Sequence, residues 1–166
     1  TPNLIQKSGC REVNSMNRKA RIALALTVTF SASIAGMAQL SAHDGATGVV
    51  KQRMDGFKAS QQNLKAISQL MQMEEYAEIA ERADKMRSWG VAIPDAFPAG
   101  SGGGVSDARP EIWEDFAGFT LAASNHVDAL DGLIGAAKAG DANAVTAAFK
   151  SVVGTCKACH MKFRKM

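Results

Sequence analysis

Near the C-terminal end of the chain, two thiols and an imidazole stand together in the run Cys156-Lys157-Ala158-Cys159-His160. Two cysteines three positions apart, followed at once by histidine, form the C-x-x-C-H pattern through which c-type haem is attached. On a helix the spacing has a physical reason, because positions i, i+3 and i+4 project from the same side. Two thioethers can then hold a porphyrin while His160 reaches the iron from one face. Three other chemistries use cysteine pairs. A thioredoxin-like redox pair opens a helix after a strand, whereas this pair lies late in the last helix of a chain without strand signals. Structural zinc wants four ligands, and His43 and His126 are far off in sequence with no second pairing. A disulfide between i and i+3 of a continuous helix is poorly placed for the bond geometry. Covalent haem is therefore the cofactor the residues point to.

Four amphipathic segments can position this group. The first, 45–71, repeats Val50, Phe57, Leu64, Ile67 and Met71 at helical spacing, and the second, 74–89, repeats Tyr76, Ile79, Ala83, Met86 and Trp89. Between Gly90 and Asp107 the pattern stops at Pro94, Pro98 and a run of glycines, which reads as a long loop. A third helix is expected after a cap at Ser106 or Asp107, with Pro110 in its first turn and the acids Glu111, Glu114 and Asp115 near its positive end. Its stripe is Ile112, Phe116, Phe119, Ala123, His126, Leu130, Leu133 and Ala137, with His126 read as an interior histidine rather than a ligand. Gly140 ends that helix, and Asp141 caps a fourth carrying Val145, Phe149, Val152 with Val153, Cys156, Cys159 with His160, and Phe163 on its inner side. No alternating run makes a convincing strand. The expected fold is all-α: an antiparallel up-down-up-down four-helix bundle with a long loop between helices two and three.

The chain has 166 residues, enough for one modest domain, and a formal charge of +3. Five of its basic residues and one acid precede residue 39, so the remainder carries 14 basic and 15 acidic groups. A body of net charge −1 without a basic stripe gives no electrostatic case for nucleic acid. From Met16 the sequence places Arg18, Lys19 and Arg21 before an apolar run at 22–37 and then small residues, the layout of a secretory signal peptide. That run, about 16 residues broken by threonines and serines, is short against the ~20 needed to span a bilayer. Residues 16–42 are read as the leader, cut after Ala38 or Ala42, with Ala42 preferred. Residues 1–15, with the odd Cys10, are read as a non-native upstream segment, and 43–166 as the haem-binding bundle. Export implies a soluble protein, periplasmic in a bacterium. No hydrolase or phosphate-binding pattern is present, so an enzyme is not expected.

The segments GVVKQRMDGFKA (48–59), GSGGGVSDARPEIWEDF (100–116) and AGDANAVTAAFKSVVGTCKACHMKFRK (139–165) together resemble the cytochromes c′, a family that is itself an example of the bundle architecture. The resemblance implies that Cys156 and Cys159 carry the haem, that His160 is the fifth ligand, and that Arg164 lies beside the proximal face. It implies that Arg53 sits near the propionates and that Phe57, four residues on, faces the distal side of the iron. Phenylalanine offers no lone pair, so the iron is expected to be five-coordinate and high-spin beneath an apolar lid. Small neutral gases such as NO and CO suit that site better than O₂, which lacks a hydrogen-bond donor there. Met54, one turn away, is the alternative sixth ligand and would give a low-spin electron carrier. Redox partners in the periplasm or at the membrane and a homodimer through the first two helices also follow from the resemblance. Lys157, Lys162, Arg164 and Lys165 read as a tail matched to the helix dipole, with a docking patch for an acidic redox partner as the other reading.

Overall fold

A computed structural model describes residues 45–166; the leader, the upstream segment, Cys10 and His43 lie outside the described residues. Four long helices carry the fold: α1 (Gly48–Leu70), α2 (Tyr76–Ala92), α4 (Phe116–Ala139) and α5 (Ala142–Phe163). A one-turn helix, α3 (Glu111–Glu114), precedes α4, and a 3₁₀ turn at Pro94–Ala96 follows α2. The all-α bundle with its long connection between the second and third long helices is as expected, and among the described residues the only β pairing is an isolated bridge between Ala108 and Arg164. None of these helices is long and apolar enough to cross a membrane.

The expected third helix is broken. Asp115 leaves helical geometry (φ −128°, ψ 62°), and its carboxylate accepts a hydrogen bond from the Gly118 N–H, so Asp115 caps α4 and separates it from α3. Ser106 and Asp107 do not cap a helix. Ser106 is buried with its hydroxyl on Arg53, and Asp107 pairs with Arg164. The other end of α4 follows expectation, since Gly140 adopts a left-handed conformation (φ 68°) that stops the helix, and the Asp141 side chain accepts from the N–H groups of Asn143 and Ala144 to start α5.

The helices pack in chain order, α1 on α2, α2 on α4 and α4 on α5. The ring does not close, because no Cα of α1 lies within 8 Å of one in α5. Two cores fill the bundle. One is aliphatic, built on Ile67, Ile79, Met86, Leu130, Leu133, Val145 and Val152. The other gathers Phe97, Ile112, Phe119 and Phe163 with Trp89, Trp113 and Cys159 against them. Three residues expected on inner faces, Phe116, Val153 and His160, are exposed instead.

Candidate functional site

The cysteine pair and His160 occupy the last two turns of α5, where one helix side presents them together. Both thiols are free and half-buried. Burial raises the pKa of each, that of Cys159 to about 11 with Cys156 adding to the effect, so both are protonated at neutral pH. A reactive redox pair needs the thiolate, and nothing positive lowers these pKa values. Addition of a thiol to a vinyl group fits them better. Beside Cys159 a cavity of about 180 Å³ opens between α4 and α5, lined by Leu121, Ala122, Thr155, Ala158 and Phe163. A larger groove of about 580 Å³ lies on the glycine-rich loop and touches none of the expected site residues.

His160, although largely open to solvent, is held below its ordinary pKa by the part of its ring that is covered and secondarily by the charge of Arg164. Arg164 itself bonds Asp107 at 3.1 Å, while Arg109 N–H donates to the Phe163 carbonyl and Lys165 N–H to that of Asp107. These ties clamp the end of α5 to the loop preceding α3.

From α1, Arg53 is 2% exposed although it is a cation. Its guanidinium donates to Ser101 Oγ (3.0 Å), the Ser101 carbonyl (2.6 Å) and Ser106 Oγ (2.6 Å), and it lies over the Phe97 ring at 4.5 Å. All of these partners are neutral, and burial pulls its pKa down. A buried cation without a carboxylate is a place an anion would stabilise. Phe57 is 37% exposed, with its ring edge-to-face on Trp89 at 5.4 Å and tilted against Phe97 at 6.3 Å. Rings then run from Phe97 to Phe119 (4.9 Å) and on to Phe163 (5.3 Å), three residues beyond His160. Arg53 and Phe57 on α1 are thus joined by aromatic contacts to the cysteine-bearing helix, on the two helices that border the opening of the bundle. Met54 is half-buried on α1.

His126 is a satisfied interior histidine, as expected. Its Nδ1 lies 2.8 Å from Thr155 Oγ1, and that hydroxyl donates onward to the Val152 carbonyl at 2.7 Å, so Nδ1 carries the proton. Sequence reasoning missed Ser101 and Ser106 as the acceptors for Arg53, and Trp89 and Phe97 as the walls around Phe57. Ser106 carried a signal, a polar residue ahead of Ala108-Arg109-Pro110, but it was open to a capping reading.

The family model for Cytochrome C' matches residues 48–164. The chain belongs to the cytochrome c′ family. A cytochrome c′ of Rhodospirillum rubrum is 38% identical over 86 residues, which cover 51% of this chain and 58% of that protein. Two solved structures of variant cytochrome c prime from Alcaligenes xylosoxidans align over far more of their length. The nitric oxide complex is 31% identical with a TM-score of 0.65, covering 71% of this chain and 94% of the other. The carbon monoxide complex is 30% identical with the same TM-score of 0.65, covering 76% and 98%. Membership makes the chain a haem cytochrome and implies a c-type haem, and the protonated thiol pair, buried guanidinium and unclosed helix ring fit that group.

Proposed function

We propose that the mature protein is a periplasmic, soluble c-type cytochrome that carries one covalent haem and leaves the distal side of its iron open to nitric oxide or carbon monoxide. In this reading Cys156 and Cys159 would hold the porphyrin by thioethers and His160 would supply its imidazole to the iron. Arg164 stands by the proximal imidazole, and Arg53 offers its guanidinium to the propionate carboxylates. The bound haem supplies an iron that exchanges one electron and accepts a diatomic ligand. The protein supplies the rest. Phe57 excludes water and contributes no lone pair, so charged or hydrogen-bonding ligands gain nothing from it. The observation that carries this reading is Phe57 seated between Trp89 and Phe97 while still partly exposed, a ring that covers space without filling it. The gas complexes of the Alcaligenes proteins support it. Electron exchange with periplasmic or membrane-bound partners uses the same haem, and a homodimer fits the family. No enzymatic activity is proposed.

Absorption spectra of the purified ferric and ferrous holoprotein test the coordination. A high-spin spectrum that shifts on adding CO is expected, and Phe57→Met should move it towards low spin. A low-spin spectrum indifferent to CO removes the open-site reading and makes Met54 the sixth ligand of an electron carrier.

A further inference from the structure

Trp89 occupies a position that neither the haem attachment nor the proposed ligands explain. On α1, the residue before Phe57 is Gly56, and a Cβ placed there would lie 2.5 Å from Trp89 Cε2 and 2.6 Å from Cζ2. The indole is therefore pressed onto the bare backbone of α1, a fit only glycine permits. The same indole meets the Phe57 ring at 89° and a centroid separation of 5.4 Å. Its Nε1–H is buried and has no hydrogen-bond partner, an arrangement that cores avoid unless something else fixes the ring. Among the described residues Phe57 has one other aromatic neighbour, Phe97, and that contact is looser at 6.3 Å. Phe97 is also engaged elsewhere, under Arg53 and against Phe119.

We propose that Trp89 is the positioning residue for the Phe57 lid: seated on Gly56, it holds the phenyl ring in place and so sets how readily a neutral diatomic reaches the distal side of the iron. The proposal rests on the reading in which Phe57 covers that side. The phenyl ring must swing away for a ligand to enter, and the stacking surface it gives up is mainly that of Trp89. Phe57's remaining exposure supplies the room for the swing. Access is thereby governed by a residue on α2 that touches no ligand, and Gly56 is needed because any side chain there would lift the indole off α1.

The test uses reduced holoprotein, with CO as the probe. Trp89→Leu should accelerate CO association about 2- to 10-fold, the scale set by losing one edge-to-face aromatic pair. Trp89→Phe, which keeps an aromatic edge, should restore most of the slow rate. A second readout does not depend on ligand kinetics: the ring-flip rate of carbon-13-labelled Phe57, measured by NMR in the unliganded reduced protein, where the ring still rests on Trp89, should rise in Trp89→Leu. If that variant fails to fold, Gly56→Ala displaces the indole from the other side and should shift both quantities in the same direction. A high-spin protein whose CO rate and Phe57 ring flips are unchanged in these variants overturns the role of Trp89 alone. A native low-spin spectrum unmoved by CO overturns both this role and the Phe57 reading beneath it.

Discussion

At one end of the bundle Ile67, Ile79, Leu130, Leu133 and Val152 are completely shut off from solvent, whereas at the other Phe57 keeps 37% of its surface exposed, Trp89 holds an unpaired N–H, and Arg53 is buried among neutral partners. The aliphatic end is finished by its own side chains. Its residues come from all four long helices and are branched or flexible chains that interlock without polar atoms to satisfy. The aromatic end relies on ring-to-ring contacts and leaves Phe57 and the cysteine pair partly open. Stability and cofactor binding are thus assigned to different lengths of the same helices, and a perturbation at one end should spare the other.

The largest expected effect is at the cysteines. Replacing Cys156 and Cys159 together by alanine should abolish covalent haem, seen as loss of the haem increment by mass spectrometry, while far-ultraviolet circular dichroism still reports a helical chain. Complete loss of helix would mean that the aliphatic end cannot stand without the cofactor. At the opposite end, Leu133→Ala should destabilise the fold by about 2–5 kcal/mol in denaturant unfolding, the usual range for a buried leucine, with the haem spectrum unaltered. A spectrum that shifts as much as the stability does would dissolve the division between the two ends.

The smallest effect concerns the boundary. His126 lies on α4 between Ala123 of the aromatic core and Leu130 of the aliphatic one. Burial, and secondarily the charge of His160, lower its pKa below the ordinary 6.5. The folded state therefore binds fewer protons there than the unfolded chain, so the contribution is fully present above about pH 6.5 and is lost as the pH falls towards the folded value. The Tm should drop between pH 8 and pH 5, and less so in His126→Gln, which can still donate to Thr155. An equal drop in both proteins would assign the acid sensitivity to other groups.

Much of this was legible beforehand. Periodicity located three of the four long helices to within a few residues and the C-terminal end of the other, because burying one apolar stripe per helix constrains sequence strongly. Gly140 and Asp141 marked their turn through local backbone chemistry alone. In the sequence Asp115 reads as an ordinary first-turn acid, since the same residue type serves inside a first turn and as a cap, and only its φ of −128° distinguishes them. Arg53 breaks the apolar stripe of α1, so periodicity said nothing of its burial, and only the family resemblance singled it out.

By itself the sequence determined the four long helices, their order and the C-x-x-C-H group, because each depends on residues within a few positions of one another. Which loop hydroxyls receive the Arg53 guanidinium, which rings surround Phe57, and where α1 and α5 stay apart were decided by the tertiary structure. Those contacts join residues up to 53 positions apart, and no local propensity encodes a meeting that only the packing of whole helices brings about.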